Sequence, residues 1–353
     1  MTALFSHRHG GVDHYPGVLD FSVSISPIFP LASSRCIDRE NMQAYPSIDG
    51  RGIQEFYRRR FGLEQDSVIA LNGAIEGIYL LPRAIPLKSM LLLSPSFYDY
   101  GRAAGIAGVE TGFIGLDAGN AFALPSFSEL AAVLSCHDAF FAGNPNNPTG
   151  TLFSPELVMA LASRFPDKWF FVDEAFLQFL PGFEELTLMN HSRAFRNIVV
   201  VHSLTKFYAV PGLRLGALIA HPDTIRRLYD YKEPWTVNAC AESAARELAG
   251  CRVYEDTLVS LISGERARIS KALSEMPGLQ GAGGAANFFL VQCCGGSLDG
   301  LLAHLHSYGI HVRDCRNFKG LEDGFFRFSV RTPEENGFLL EALRAFSFAQ
   351  TDG

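Results

Sequence analysis

The chain has 353 residues, of which 48% are hydrophobic and 19% are charged, so it is long enough for two domains that share a large core. Its mean hydropathy of +0.11 indicates a packed globular protein rather than a disordered one. The formal net charge of −7 is spread along the sequence without long runs of one sign. This argues against a nucleic-acid partner or an anionic-membrane surface, and we expect a small-molecule ligand.

The seven cysteines form no C-x-x-C pair and no His-Cys cluster with zinc spacing, so we expect reduced thiols and no metal site. The N-terminal residues lack the apolar run of a signal peptide, and no segment supplies 18 uninterrupted apolar residues. We therefore expect a soluble, cytoplasmic protein without a membrane span.

Short apolar segments alternate with helical patterns from about residue 50 to residue 250. The predicted strands lie in SVIALN, MLLLSPSF, AFFAGNP, WFFVDEAF, NIVVVHS and LGALIAH. This alternation is typical of an α/β fold, with a mostly parallel central sheet and helices on both faces. Asn147, Asp173 and Lys206 lie at or just past the carboxyl ends of strands, where open α/β sheets bind ligands.

A long helical stretch after Pro234, up to about residue 276, is interpreted as a link between two domains. After this helical stretch, three apolar segments and two amphipathic helices predict a small α+β layer. The three segments are NFFLVQCC, GIHVRDC and FFRFSVRT. We expect a large domain over residues 41–250 and a small C-terminal α+β domain over residues 251–353. Residues 1–40 are expected to pack on or near the small domain.

Lys206 and Arg214 lie eight residues apart in SLTKFYAVPGLRLG. A lysine here would by itself be ordinary, but a buried, electropositive pocket would lower its pKa and favour the neutral amine that imine formation needs. Arg214 would add to that field and pair with a phosphate. Ser203 and Thr205 could contribute hydroxyl donors.

Asp173 ends the apolar run WFFV and therefore needs an interior partner, either a protonated pyridine nitrogen or a structural cap or salt bridge. Asn147, in the turn NPNNPTG, would donate its amide to a ring oxygen. Asn144 and Asn146 are interpreted as turn formers.

The segment LNGAIEG predicts a change from strand to helix, which creates an anion site from free backbone N–H groups. Gly73, Ala74 and Ile75 would hold a phosphate there. Phe97 is a candidate to stack on a pyridine ring, with Tyr100 as the competing candidate. Pyridoxal 5′-phosphate requires these four groups: an amine, an anion for the ring nitrogen, a donor for the ring oxygen and an anchor for the phosphate.

Arg313, Arg327 and Arg331 interrupt apolar strands of the predicted small domain. Guanidinium groups suit the bidentate grip of a carboxylate or phosphate, although three solvated arginines are the alternative.

Together these segments resemble the fold type I pyridoxal-phosphate enzymes of the class I/II aminotransferase superfamily over nearly the whole chain. Within this superfamily, several motifs are most similar to the L-threonine-O-3-phosphate decarboxylases of cobalamin biosynthesis. These motifs are SLTKFYAVPGLRLG, DEAF, PWTVNA, HGG with LDFS, and RDCRNFKGL with FFRFSVRTPEEN. The resemblance implies the following roles: Lys206 as the Schiff-base lysine, Asp173 on the pyridinium, Asn147 on O3′, Arg214 on the cofactor phosphate, and Arg327 on the substrate α-carboxylate.

The same resemblance implies that Tyr45 reaches the cofactor phosphate of a neighbouring subunit, and hence a homodimer with shared sites. It also implies that His9 and Arg313 hold a substrate phosphate. The chain departs from the family where DFSANINP reads DFSVSISP, which puts Ser24 and Ser26 in place of asparagines. A serine has a shorter reach and fewer donors than an asparagine, which opens the question of the substrate.

The leading hypothesis is a pyridoxal-phosphate-dependent decarboxylase (a carboxy-lyase) acting on O-phospho-L-threonine or a related amino acid. Phe176, where many aminotransferases carry a tyrosine, favours it over the histidinol-phosphate aminotransferase type, which is the alternative. Another possibility is a divergent enzyme of specialised metabolism acting on a non-phosphorylated amino acid. A binding protein that has lost the chemistry is a third class.

Overall fold

The structure is a computed structural model that describes residues 17–31, 38–322 and 324–348. The strands are β1 (Leu19–Asp20), β2 (Val68–Asn72), β3 (Ser89–Ser94), β4 (Glu110–Gly115), β5 (Ala139–Gly143), β6 (Trp169–Asp173), β7 (Ile198–Ser203), β8 (Leu215–Ala220), β9 (Leu279–Gly281), β10 (Phe288–Cys293), β11 (Ile310–His311), β12 (Arg313–Asp314) and β13 (Phe325–Ser329).

The helices cover both faces of the main sheet and pack against the smaller ones. They are α1 (Arg39–Gln43), α2 (Arg51–Phe61), α3 (Ala74–Ala84), α4 (Tyr98–Ile106), α5 (Phe127–Leu134), α6 (Pro155–Arg164), α7 (Phe183–Leu186), α8 (Leu204–Phe207), α9 (Pro222–Tyr229), α10 (Ala239–Leu248), α11 (Arg252–Ser274), α12 (Leu298–Ser307) and α13 (Pro333–Ala345).

Over the described ranges, the main sheet has seven strands in the order β2-β8-β7-β6-β5-β3-β4. β8 runs antiparallel to both of its neighbours and the other pairs are parallel. Successive residues of one strand enter different apolar clusters: Val68 and Ala70 enter one, and Ile69 and Leu71 the other. Because side chains alternate between the faces of a strand, the sheet is buried on both faces. The predicted α/β architecture is confirmed.

A second, antiparallel sheet has the order β12-β13-β10-β9 and packs with α11 and α13. Near it β1 pairs in parallel with β11, with Leu19 opposite Ile310. The described part of the N-terminal segment therefore contacts the C-terminal part of the chain. The domain boundaries at residues 40 and 250 remain predictions.

The long helical stretch expected after Pro234 is two helices, α10 and α11, separated at Gly250. The Gly250 amide donates to Glu247 O at 3.1 Å and closes α10, as glycine often does after a helix end. The sequence interpretation also missed β4 and β9. β4 is an edge strand of mostly partly exposed residues with two glycines, so it lacks the apolar alternation that signals a strand.

In the ranges that the structure describes, none of the helices combines the length and the apolar character needed to span a bilayer.

Candidate active site

The predicted cofactor residues come from the carboxyl ends of adjacent strands. Asp173 is the last residue of β6, Asn147 follows β5, and Lys206 lies in α8 directly after β7. Since β5, β6 and β7 are parallel neighbours, these ends meet at one edge of the sheet.

A cavity of about 570 Å³ opens at this edge. Most of the predicted site residues line it, namely Ser24, Ala74, Ile75, Phe97, Asn147, Asp173, Ser203, Thr205, Lys206, Arg214, Arg313 and Arg327. The fold thus brings together residues that are up to 303 positions apart, from Ser24 to Arg327.

A phosphate cradle lies at the N-terminus of α3. Gly73 precedes the helix with φ +77° and ψ 153°, which favours glycine, and a Cβ there would lie 2.5 Å from the Arg214 guanidinium. A Cβ on Gly216 would lie 2.5 Å from the Ala74 amide nitrogen. Arg214 itself has φ +60°, a strained conformation for a residue with a side chain. Backbone N–H groups and a guanidinium therefore converge on one point, as an anion site requires.

Lys206 lies in this cavity among charges of both signs. Burial lowers the pKa of its ammonium, Arg327 and Arg214 lower it further, and Asp173 opposes the shift. The Lys206 Nζ atom is 4.7 Å from the ring centroid of Phe176. The environment therefore favours the neutral, nucleophilic amine.

Asp173 is only 7% exposed and both of its carboxylate oxygens accept hydrogen bonds. Oδ1 accepts from the Ala175 amide at 3.0 Å, and Oδ2 accepts from the Tyr100 hydroxyl at 2.9 Å. Burial raises the pKa of Asp173, while Lys206 and the two hydrogen bonds oppose that shift. A buried carboxylate with this support is suited to pair with a pyridinium nitrogen.

Tyr100 is a site residue whose position the sequence analysis misread. It was the alternative to Phe97 for ring stacking, yet its ring stacks on Phe141 with centroids 4.2 Å apart and its hydroxyl faces Asp173. Phe97 precedes α4 with extended backbone, so the spacing of the two residues did not indicate the direction of the Tyr100 hydroxyl.

The asparagines of NPNNPTG separate into two groups. Asn144 exchanges hydrogen bonds with the backbone of Phe153, and Asn146 donates to Pro95 O at 2.9 Å, so both stabilise the turn. Asn147 instead lines the cavity, and its Oδ1 accepts from Arg327 Nη1. Its Nδ2 group is therefore the part that can donate to a ligand.

Two arginines form the wall contributed by the second sheet. Arg313 and Arg327 lie opposite each other in the β12–β13 ladder and are 8% and 7% exposed. Burial lowers the pKa of both, that of Arg327 to about 10. Arg327 Nη2 donates to Ser22 O at 3.0 Å, and Arg313 Nη2 donates to Asn317 Oδ1 at 3.0 Å. Two adjacent, buried guanidinium groups indicate a ligand with more than one negative charge.

Arg331 does not join this wall, because it donates to Asp20 O and pairs with Glu335 at 2.7 Å. Ser24 is 5% exposed, and its hydroxyl has no hydrogen-bond partner among the described residues. Ser26 is used structurally: its amide donates to Lys206 O at 2.8 Å, and its hydroxyl accepts from Tyr254.

Tyr45 does not line the cavity of its own chain. Tyr45 is 89% exposed, with its ring centroid 6.1 Å from that of Trp235. His9 lies outside the described residues.

Comparisons with known proteins agree with this geometry. The family model for class I and II aminotransferases matches residues 39–343. The threonine-phosphate decarboxylase of Salmonella typhimurium is 30% identical over 97% of each chain. The fold is similar to the histidinol-phosphate aminotransferase of Clostridium acetobutylicum, with a TM-score of 0.85 and 27% identity over 93% of this chain and 98% of the other. It is also similar to the L-threonine-O-3-phosphate decarboxylase of Porphyromonas gingivalis, with a TM-score of 0.81 and 24% identity over 92% and 98%.

The resemblance inferred from the motifs is therefore confirmed. The chain belongs to the class I and II aminotransferase family, whose cofactor is pyridoxal 5′-phosphate.

Proposed function

We propose that this protein is a pyridoxal-phosphate-dependent decarboxylase that acts on O-phospho-L-threonine or a closely related amino acid. The observation that carries the proposal is the pair of buried guanidinium groups, Arg313 and Arg327, on the wall of the cavity that also contains Lys206. A phospho-amino acid has two anionic ends, a carboxylate and a phosphate, and so matches two adjacent cations. The similarity to the Salmonella decarboxylase over 97% of each chain supports the same reading.

The residues of the cavity fit the cofactor. Because residues 73 and 216 are glycines, the Arg214 guanidinium and the first residues of α3 can pack closely around the N-terminus of that helix, where a phosphate would be held. When bound, pyridoxal phosphate supplies an aldehyde for the substrate amine and a protonated ring that withdraws electrons from the bond that breaks at Cα. Asp173 stabilises the protonated ring nitrogen through its negative charge.

The remaining roles follow from position. Asn147 Nδ2 would donate to the ring oxygen, Phe97 would contact the ring, and Ser203 and Thr205 would help to hold the cofactor phosphate. Lys206 would provide the amine that holds the cofactor and would move a proton at Cα. These assignments are supported by the shared cavity and by the lowered pKa of Lys206.

Arg327 decides the reaction in this proposal, because it holds the substrate carboxylate. Its Nη1 and Nη2 atoms each donate one N–H, to Asn147 Oδ1 and to Ser22 O, so each retains a second N–H group. A carboxylate that accepts from two N–H groups of this guanidinium would be fixed in direction. That direction selects whether the bond to the carboxylate or the bond to hydrogen breaks.

An aminotransferase of the histidinol-phosphate type is the second candidate. The structural similarity to the Clostridium enzyme, at 27% identity, favours it. A divergent enzyme for a non-phosphorylated amino acid is the third, because the distal group would meet Ser24 rather than an asparagine. In all three cases Ser24 is a lining residue of the cavity that would contain the substrate.

We also propose that the protein is a cytoplasmic homodimer with shared active sites. Tyr45 is almost fully exposed, together with Met42, Ile48 and Trp235, which are 66%, 58% and 51% exposed. Apolar side chains in this number near one another are typical of an interface. The described cysteines are free thiols, as expected in a reducing compartment.

The test is to incubate the holoenzyme with O-phospho-L-threonine, O-phospho-L-serine, L-threonine and histidinol phosphate, each with and without 2-oxoglutarate. Products are identified by mass spectrometry. We expect CO₂ from a phospho-amino acid without any requirement for the keto acid. Glutamate formation would replace the proposal by the aminotransferase, and CO₂ from L-threonine alone would replace it by the third candidate.

Lys206→Ala is the control variant for this experiment. It should release no CO₂, and borohydride should attach no cofactor to it, whereas in the wild type the cofactor mass should appear on the peptide containing Lys206. Cofactor mass on a different lysine would contradict the assignment.

A further inference from the structure

A nearly buried ion pair lies next to the phosphate cradle at the start of α3. Glu76 is the third residue of that helix, and its Oε1 atom is 2.8 Å from the Nζ atom of Lys232. The Lys232 side chain is 7% exposed and the Glu76 side chain is 15% exposed. Neither residue lines the catalytic cavity, so the roles assigned above do not account for the pair.

Two hydrogen bonds hold the Glu76 carboxylate at the start of the helix. Its Oε2 atom accepts from the Asn72 amide at 2.6 Å and from the Thr236 hydroxyl at 3.2 Å. Asn72 directly precedes Gly73, where an added Cβ would lie 2.5 Å from the Arg214 guanidinium. The carboxylate is therefore bonded to the residue that precedes the point where the cradle and Arg214 meet.

Lys232 is held by the turn that follows α9. Its amide donates to Tyr229 O at 3.3 Å, and its ammonium donates to Glu233 O at 3.2 Å and to the Thr236 hydroxyl. A nearly buried ammonium needs an anion that compensates its charge. Among the described residues, Glu76 is the carboxylate within ion-pair distance of it.

The position of Glu76 has an electrostatic consequence for the cofactor. The N-terminus of a helix attracts anions, and both the Glu76 carboxylate and the cofactor phosphate would lie at the N-terminus of α3. Two anions at one helix end repel each other, and solvent ions screen this repulsion little where the charges are buried. Because Lys232 offsets the charge of Glu76, the attraction of the backbone N–H groups and of Arg214 remains for the phosphate.

A purely structural role of the pair is the alternative, since it connects α3 to residues 232–236. Removal of one partner of a buried pair destabilises a fold whatever its function. The two roles predict opposite effects of Glu76→Gln. A structural pair predicts weaker binding of the cofactor, whereas a charge-balancing pair predicts tighter binding, because a repelling charge has been removed.

We propose that Lys232 sets the affinity for the cofactor phosphate by neutralising Glu76 beside the cradle. Lys232 does not touch the cofactor in this proposal and acts through Glu76, as a positioning residue. The proposal rests on the cofactor site and not on decarboxylation, so a negative result with the phospho-amino acids would leave it standing.

The test is a titration of the full-length chain, freed of cofactor, with pyridoxal 5′-phosphate and with pyridoxal, which lacks the phosphate. Binding is followed by the cofactor absorbance, and circular dichroism checks that each variant is folded. Lys232→Met replaces the ammonium by an apolar group of similar length. It should weaken the binding of pyridoxal phosphate by about tenfold or more and change that of pyridoxal by less than about threefold.

Matched variants separate charge from shape. Glu76→Gln keeps an oxygen that accepts from the Asn72 amide and should bind pyridoxal phosphate about threefold or more tightly than the wild type. The double variant Glu76→Gln with Lys232→Met should bind within about threefold of the wild type, because both charges are absent. Lys271→Met, at an exposed position of α11, is the control and should bind like the wild type.

Each result decides for or against the proposal. It is overturned if the folded Lys232→Met variant binds pyridoxal phosphate like the wild type or loses affinity for pyridoxal to the same degree. It is also overturned if the double variant is as weak as Lys232→Met, or if Glu76→Gln weakens the binding of pyridoxal phosphate. If Lys232→Met does not fold, Glu76→Gln alone still distinguishes charge balance from a structural role.

Discussion

At the scale of single residues, Asp173 is the clearest case of a side chain whose neighbours define its chemistry. Burial alone would favour a neutral carboxyl group and raise its pKa, which would remove the anion that a pyridinium needs. The Tyr100 hydroxyl at 2.9 Å and the Ala175 amide at 3.0 Å both donate to the carboxylate and oppose that effect. We therefore expect Tyr100 to act on the proposed cofactor through Asp173, as a positioning residue.

We predict that Tyr100→Phe lowers kcat/KM by about tenfold, because a hydrogen bond to a charged group contributes roughly 1.5–3 kcal/mol. Without this donor the pKa of Asp173 rises further, so the acidic limb of the pH profile of kcat/KM should move to higher pH. A purely structural role for Tyr100 would lower activity without moving that limb. Tyr308→Phe, a change at a partly exposed tyrosine outside the cavity, is the control.

At the scale of elements, the end of β6 places two consecutive carboxylates in different environments. Asp173 borders the catalytic cavity, whereas Glu174 is fully buried and accepts from the Thr187 hydroxyl at 2.5 Å and the Leu188 amide at 2.8 Å. Burial raises the pKa of Glu174 to about 7. These two hydrogen bonds connect the end of β6 to the segment that begins at Thr187. They therefore stabilise the strand end at which Asp173 lies.

The raised pKa gives a prediction for stability. Between the ordinary glutamate pKa and about pH 7, the folded protein holds a proton on Glu174 that the unfolded chain releases. The stability from this group is therefore present at low pH and is lost as pH rises through about 7. Glu174→Gln should lose less unfolding free energy than the wild type between about pH 5 and pH 8, by on the order of 3 kcal/mol.

Urea unfolding at both pH values measures this difference. Glu341→Gln, at an exposed position of α13, is the control and should follow the wild type. An identical pH dependence for Glu174→Gln and the wild type would show that Glu174 does not hold the proton.

At the scale of the whole molecule, the exposed ring of Tyr45 is the observation on which the proposed homodimer with shared sites depends. A tyrosine that is 89% exposed beside an exposed tryptophan is poorly placed for a monomer in water. In the proposed homodimer, symmetry would give each chain's Tyr45 a place near the partner's cofactor phosphate.

We predict complementation between two defective chains. Tyr45→Ala and Lys206→Ala each damage the site, but a hybrid dimer would contain one site with both residues intact. Co-expression with two different affinity tags allows that hybrid to be purified. Its activity should approach half of the wild-type value, since one of the two sites is complete. A hybrid no more active than the mean of the two parent variants would contradict shared sites.

The motifs were sufficient to predict three polar residues that line the cavity, because each of them lies at or just after the end of a strand, where the sequence pattern is local. They are Lys206 after β7, Asp173 at the end of β6 and Asn147 after β5. Tyr100 and the separate role of Arg331 were not predictable, since both depend on side-chain direction. A tyrosine near a predicted stacking residue has no sequence feature that distinguishes a ring contact from a hydrogen bond to Asp173.

The sequence by itself determined the α/β class and the family, because apolar periodicity and motifs with unusual composition are local properties. Only the tertiary structure decided which distant residues share the cavity, such as Ser24 with Arg327, and that Ser26 serves the backbone near Lys206 instead. These facts depend on contacts between segments far apart in the chain, which packing creates and local pattern does not encode.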